Sequence, residues 1–217
     1  MIVENVQQKL PQFFDNVVAS AVFVACEENN VTALEQLSNT YSIDILNIEN
    51  ELGETPLHVA SGAGCELAAA FLLRRGADAR HVDKNGDTPL AWAARNGHAH
   101  LVRLLLTGYT SGLASYGGRK SPLKTKISHA EKVFTATSDV NAVNEAGETA
   151  LHIATRYTQV ECALALLENG ANSDIQDEHG ETALHIASWH GDALLLGILC
   201  RFDPNQELVN MVIFLKS

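Results

Sequence analysis

Short apolar blocks separated by polar turns recur along the chain at a fixed spacing. The segment GETPLHVA at residues 53–60 returns as GDTPLAWA at 86–93, as GETALHIA at 147–154 and again as GETALHIA at 180–187. The leading glycines, Gly53, Gly86, Gly147 and Gly180, are 33, 61 and 33 residues apart, and 61 is 33 plus 28. A repeat of this length indicates stacked structural units, with an insertion of 28 residues inside the second unit.

The residue types within each unit predict a pair of helices. A threonine at 55, 88, 149 and 182 is expected to be the N-cap of the first helix, with a proline following it at 56 and 89. About a dozen residues later a leucine-rich block predicts the second helix, which ends at glycine in two units, Gly76 and Gly170. Small residues are expected where neighbouring helices approach closely: Ala60, Ala93, Ala94, Ala154 and Ala187. Such a unit becomes stable only by stacking on its neighbours.

Motif, period and leucine spacing together resemble the ankyrin repeat family, whose unit is a β-turn followed by two antiparallel helices. The resemblance implies an all-α solenoid with four recognisable repeats over 50–200, namely 50–82, 83–143 with an inserted loop at about 107–138, 144–176 and 177–200. Residues 1–49 are expected to be a degenerate N-terminal capping repeat, with helices at Phe13–Cys26 and Val31–Leu37. Residues 201–217, which end in an apolar stretch, are expected to be an irregular tail.

Composition narrows the possible partners. The net charge of −11 argues against binding to nucleic-acid phosphates or to anionic membrane surfaces. The best apolar run, residues 17–25, is too short for a membrane helix, and residues 1–10 lack the apolar core of a signal peptide. Four scattered cysteines without a C-x-x-C pair fit reduced thiols. We therefore expect a soluble, cytoplasmic protein.

The insertion differs from the rest of the chain in charge. It contains Arg119, Lys120, Lys124, Lys126 and Lys132 against Glu131 alone, a local charge of +4. It is interpreted either as a flexible surface loop or as a regulated docking loop with a phosphorylation site at Ser121, which stands in an Arg-Lys-Ser-Pro context.

No motif in the chain predicts catalysis, a metal site or a cofactor site. His58, His152 and His185 recur beside the capping threonine, where a structural hydrogen bond is the expected role, and Ala91 in the second repeat loses it. His98 and His100 fit the link between the two helices. Residues 112–121 resemble a phosphate-binding loop only faintly, because Gly118 and Arg119 interrupt the required spacing. Hydrolase, zinc-protease and kinase motifs are missing.

Residues that vary between units are the candidates for partner binding. At the turn tips these include Lys84, Asp87, Glu148 and Glu181, and at the inner-helix ends they are Arg95, Asn96, Arg156, Tyr157, Trp189 and His190. Trp, Tyr and Arg often dominate interface energetics, and the acidic tips favour a partner with a basic surface. The alternative is that Tyr157 and Trp189 pack against adjacent repeats. Trp92, at the position of Val59, Ile153 and Ile186, is predicted to lie in the core.

A narrower resemblance concerns the ankyrin region of the death-associated protein kinases. It rests on the strings WAARNGH at 92–98, ALHIATRY at 150–157, NSDIQD at 172–177 and ASWHG at 187–191. It implies that the chain corresponds to the docking and cytoskeletal-targeting part of a calmodulin-regulated Ser/Thr kinase that acts in cell death, autophagy and cytoskeletal signalling. The insertion departs from that family.

The sequence therefore predicts a non-catalytic scaffold that binds a protein on a concave surface. The alternative is a fragment or short isoform of such a kinase, with association to the cytoskeleton. A catalytic domain in its own right lacks any supporting constellation.

Overall fold

The computed structural model of the protein describes residues 17–41, 44–108 and 138–202. Within these ranges the chain forms helices and no strand, and one isolated antiparallel bridge joins Val143 and Thr149. The helices are α1 over 17–27, α2 Val31–Thr40, α3 Pro56–Gly62, α4 Glu66–Arg74, α5 Pro89–Arg95, α6 Ala99–Thr107, α7 Ala150–Arg156, α8 Val160–Glu168, α9 Ala183–His190 and α10 Ala193–Phe202. The predicted all-α architecture is confirmed.

The helices form two layers. Helices α3, α5, α7 and α9 pack in sequence as an inner layer, while α4, α6, α8 and α10 form the outer layer. Each inner helix also packs on the outer helix that follows it in the chain. One continuous apolar core runs from Val22 in α1 to Leu199 in α10, so the stack is held together by the contacts between neighbouring units.

The capping threonine and the histidine three residues later begin three of the four inner helices. The Nδ1 of His58 lies 2.8 Å from Oγ1 of Thr55 and accepts the Thr55 backbone N–H at 3.1 Å. Because Nδ1 accepts, the ring proton is on Nε2, which donates to the carbonyl of Asp87 in the next repeat at 3.1 Å. The predicted structural role of the histidine is confirmed, and the same ring also ties one repeat to the next. In the second repeat only the Thr88 hydroxyl remains as the cap, accepting from the N–H of Ala91 at 3.3 Å.

A second set of caps holds the turns that precede the inner helices. The side-chain Oδ1 of one Asn or Asp in each repeat accepts the backbone N–H groups two and four residues later, at 2.8–3.1 Å. These turn-capping residues are Asn50, Asp83, Asn144 and Asp177. These residues were not predicted as caps, although an Asn or Asp three residues before the repeated glycine is a visible signal.

The insertion does not interrupt the stack. The backbone N–H of Glu145 donates to the carbonyl of Asn85 at 3.0 Å, just as Lys84 donates to Leu52 and Glu178 to Ala146 at the same distance. Helix α5 packs on α7 and α6 on α8 across the point of insertion. Residues 109–137, including Ser121 and the basic residues around it, lie outside the described residues, as do residues 1–16, 42–43 and 203–217.

The core contains the predicted small residues. Ala60, Ala93, Ala94, Ala154 and Ala187 are all 0% exposed, which allows the inner helices to approach closely. Helices also lie near the positions predicted for the N-terminal pair, as α1 and α2.

Trp92 differs from the prediction of a core residue, because its side chain is half-buried. Its indole Nε1 donates to Oδ2 of Asp83 at 3.0 Å, and its ring lies over Gly62, where a Cβ would be only 2.6 Å from Cε3. A tryptophan keeps its polar edge near an acceptor, and the turn-capping Asp83 supplies one at the edge of the core. The residue therefore bridges the turn of its own repeat and the helix end of the previous repeat.

Candidate functional site

The inner helices end at equivalent points, so their last residues form a row along one side of the stack. Arg95, Arg156 and Trp189 occupy the same position in three successive repeats, and Asn96, Tyr157 and His190 occupy the next. The backbone then turns at a residue with positive φ, which is Gly97, Thr158 or Gly191. We call these six side-chain positions the inner-helix row: Arg95, Asn96, Arg156, Tyr157, Trp189 and His190.

The first part of the row is organised by Arg95. Its guanidinium forms an ion pair with Asp87 and lies over the ring of Tyr157, with the Cζ atom 5.9 Å from the ring centroid. The carboxylate of Asp87 also accepts from Nδ2 of Asn144 at 2.9 Å. Arg95 thereby contacts groups of two repeats, and these contacts restrict the orientation of its side chain.

The next arginine is held in a similar way. Nη2 of Arg156 is 2.5 Å from Oε1 of Glu148 and 3.6 Å from Oδ2 of Asp177 in the following repeat. Asp177 is the turn-capping residue of that repeat, so the arginine connects an inner-helix end with the neighbouring turn. Its side chain keeps 39% of its surface exposed, which leaves it available for further contacts.

Two candidate residues at the tips are less accessible than the sequence analysis expected. The Asp87 side chain is 1% exposed and that of Glu148 17%, because each carboxylate is covered by the arginine it pairs with. Asp87 therefore acts by positioning Arg95 rather than as an open contact. Glu181 is half-buried, whereas Lys84 and the equivalent Glu145 and Glu178 are exposed at the tips.

The aromatic members of the row are open to solvent. Trp189 is 82% exposed and Tyr157 is 50% exposed, so Trp189 does not pack into the adjacent repeat. Asn96 and His190 are exposed as well, and the amide of Asn96 donates to the carbonyl of Trp92 at 2.9 Å. The row thus presents aromatic surface and fixed guanidinium groups side by side, with the exposed glutamates of the tips beyond them.

The described residues hold no group of histidine, cysteine or carboxylate side chains that could bind a metal ion. Burial raises the pKa of the Cys26 and Cys162 thiols to about 12, which makes them poor nucleophiles. Burial lowers the pKa of His58, His98 and His152, and each of these rings bonds a backbone carbonyl. Among the helices that the structure describes, none combines the length and apolar character needed to span a bilayer.

A stack of helix pairs joined by capped turns, with a row of exposed variable residues along its inner layer, defines the class of helical-repeat binding proteins. The family model for ankyrin repeats in three copies matches residues 22–116 and 113–207. The chain belongs to the ankyrin repeat family.

The curated relatives of the chain are much longer proteins, and the chain matches one part of each. The chain is 35% identical over 137 residues to the Neurogenic locus notch homolog protein 1 of Mus musculus, covering 60% of this chain and 5% of that protein. It is 31% identical over 171 residues to the B-cell lymphoma 3 protein homolog of Mus musculus, covering 77% of this chain and 32% of that protein. The chain thus spans about a third or less of the length of these relatives. These relatives give no support to the narrower resemblance to death-associated protein kinases, which stays a prediction.

Proposed function

We propose that the chain is a non-catalytic scaffold that binds a protein partner through the inner-helix row. The observation that carries the proposal is the 82% exposure of Trp189, a large aromatic side chain at the same repeat position as Arg95 and Arg156. An exposed tryptophan contributes little to folding, but it can bury a large area against a partner.

The ion pairs of the row favour binding with little loss of side-chain freedom. Arg95 and Arg156 are already fixed by Asp87, Glu148 and Asp177, so a partner does not have to order them. The surface supplies aromatic faces and guanidinium donors at its centre, and the exposed Glu145 and Glu178 at its rim. This distribution suits a partner with aromatic or carbonyl groups facing the row and basic residues facing the tips.

The test compares recovery of partners from cell extract by the wild-type chain and by variants. Trp189→Ala is expected to reduce recovery strongly, and the double variant Arg156→Ala with Trp189→Ala to abolish it. Leu194→Ala is the matched control, because Leu194 is also exposed (61%) but lies on the outer helix α10 of the same repeat. Equal recovery by wild type and both Trp189 variants would refute the proposed surface.

The contribution of the tips is tested separately by charge. If Glu145 and Glu178 steer a basic partner, association should slow as salt is raised, and Glu145→Lys with Glu178→Lys should slow it at low salt. If the association rate depends neither on salt nor on the two substitutions, the hypothesis that the partner has a basic surface is refuted. The location we propose is the cytoplasm, and fractionation of cells that express the chain tests it.

The kinase-related alternative is supported by the sequence strings alone. Under it, the chain supplies the partner-docking part of a calmodulin-regulated death-associated kinase, with association to the cytoskeleton. Sequencing the transcript upstream of the Met1 codon tests this hypothesis, and a transcript without a kinase reading frame would exclude it.

A further inference from the structure

In each repeat an acidic residue follows the repeated glycine, and the residue eight positions later lies at the end of the inner helix. These pairs of positions are Glu54 and Gly62, Asp87 and Arg95, Glu148 and Arg156, and Glu181 and Trp189. In the second and third repeats the arginine forms an ion pair with the carboxylate of its own repeat. The fourth repeat keeps the carboxylate but has a tryptophan at the position of the arginine.

The carboxylates of the first three repeats all receive hydrogen bonds from side chains. Nδ2 of Asn50 donates to Oε2 of Glu54 at 2.5 Å. In the next two repeats the arginine is joined by the amide of Asn144, which donates to Asp87 at 2.9 Å and to Glu148 at 3.4 Å. The fold itself therefore supplies the donors that these three carboxylates require.

The carboxylate of Glu181 differs from the other three. The residue is half-buried, and none of the residues that the structure describes donates a hydrogen bond to its side chain or forms an ion pair with it. The turn-capping residue four positions earlier is Asp177, which has no N–H group on its side chain and itself pairs with Arg156. Because a carboxylate that is partly removed from water without a donor costs free energy, Glu181 favours the binding of a cation.

Trp189 supplies the second part of a cation site. In the second repeat the guanidinium of Arg95 pairs with Asp87 and lies over the ring of Tyr157, so a carboxylate and an aromatic face together hold a guanidinium in this fold. The fourth repeat has the carboxylate of Glu181 and the exposed ring of Trp189. They are separated by the same eight residues over which the arginine reaches the carboxylate in the second and third repeats.

We propose that Glu181 and Trp189 bind an arginine side chain of the protein partner. Its guanidinium pairs with the carboxylate and lies against the indole ring, at the place that Arg95 and Arg156 occupy in their own repeats. Arginine fits better than lysine because its planar group donates to a carboxylate and stacks on an aromatic ring at the same time. The net charge of −11 favours a cationic ligand as well. This inference rests on the proposed function, since the arginine belongs to the partner bound at the inner-helix row.

The test is an NMR titration of the full chain with acetyl-arginine amide at constant ionic strength, followed at the indole N–H of Trp189 and the backbone N–H of Glu181. The citrulline analogue, which has the same shape without the charge, is expected to bind much more weakly. Glu181→Gln should raise the dissociation constant for the arginine compound about fivefold, as expected for the loss of one partly exposed ion pair. Glu161→Gln is the matched control, because Glu161 is exposed on the outer helix α8 and its substitution removes the same charge.

A second variant places the guanidinium in the chain itself. In Trp189→Arg the new side chain is expected to pair with Glu181 as Arg156 pairs with Glu148, so binding of the arginine compound should be lost. Glu181→Gln should then lower the urea midpoint in the Trp189→Arg background and leave it unchanged in the wild-type chain. This difference separates filling of the site from mere loss of the tryptophan.

Three results would overturn the inference: equal affinity for the arginine and citrulline compounds, equal dissociation constants in Glu181→Gln and Glu161→Gln, or equal effects of Glu181→Gln on the urea midpoint in both backgrounds. Recovery of partners from cell extract distinguishes this failure from failure of the proposed function. Recovery that depends on Trp189 but not on Glu181 supports the inner-helix row and overturns the arginine site. Recovery that depends on neither residue refutes both.

Discussion

Replacing His152 by alanine tests a side chain that caps the helix of its own repeat and also bonds the following repeat. The imidazole is buried and lies 2.8 Å from the Thr149 hydroxyl, 3.1 Å from the Thr149 nitrogen and 3.1 Å from the Glu181 carbonyl. Alanine removes all three interactions. With a net contribution of about 1 kcal/mol for each, the free energy of unfolding should fall by about 3 kcal/mol.

For a domain of this size, that loss corresponds to a decrease in Tm of roughly 6–12 °C. Urea unfolding followed by circular dichroism measures the change, and His179→Ala is the matched control. The His179 side chain is 71% exposed, and its interaction with Glu178 is a surface contact. The control should therefore leave the urea midpoint unchanged. A loss of stability in His152→Ala no larger than in His179→Ala would refute the role of the histidine as a link between repeats.

Three further predictions concern pH, backbone conformation and thiol chemistry. Burial holds the pKa of His58, His98 and His152 below the ordinary value, so these side chains bind protons more tightly in the unfolded chain than in the folded one. The free energy of unfolding should therefore be at its full value above about pH 6.5 and fall as the pH drops below it. Urea midpoints compared between pH 8 and pH 5 measure this fall, which should be smaller in His152→Ala. Gly86→Ala should lower Tm more than Gly180→Ala, because both have positive φ but only at Gly86 would a Cβ meet backbone, 2.7 Å from the nitrogen of Glu145; equal decreases would show that the turns are not packed as described. Cys162, whose pKa burial raises to about 12, should resist iodoacetamide at pH 8 until urea unfolds the chain, while the half-buried Cys200 reacts earlier, and mass spectrometry of the labelled peptides measures both.

The fold could be predicted from the sequence because the same residue types recur at equivalent positions in each repeat. Thr at the N-cap, Pro at the first helical position and Gly after the second helix are constraints on a few consecutive residues, so they are visible without coordinates. The helix positions, the small residues of the inner layer and the structural role of His58 and His152 follow from them, and the structure agrees. The turn-capping Asn and Asp residues were equally visible as a pattern but were not recognised.

The solvent accessibility of the candidate site residues depends on contacts between repeats, and the spacing of residues in the sequence does not predict these contacts. Asp87 is a charged residue at a turn tip, so the sequence predicts that it is exposed. In the structure it is covered by Arg95, eight residues later, and by Asn144, which follows the insertion. Trp92 aligns with core residues, but its Nε1 requires an acceptor, and Asp83 supplies it at the edge of the core. Trp189 stands at the repeat position of Arg95 and Arg156, and this position alone does not decide whether a tryptophan is buried. The structure shows that its side chain is exposed. Local residue chemistry thus determined the helices and their order, whereas burial of a side chain is decided by neighbours that are distant in sequence, and only the tertiary structure brings those neighbours together.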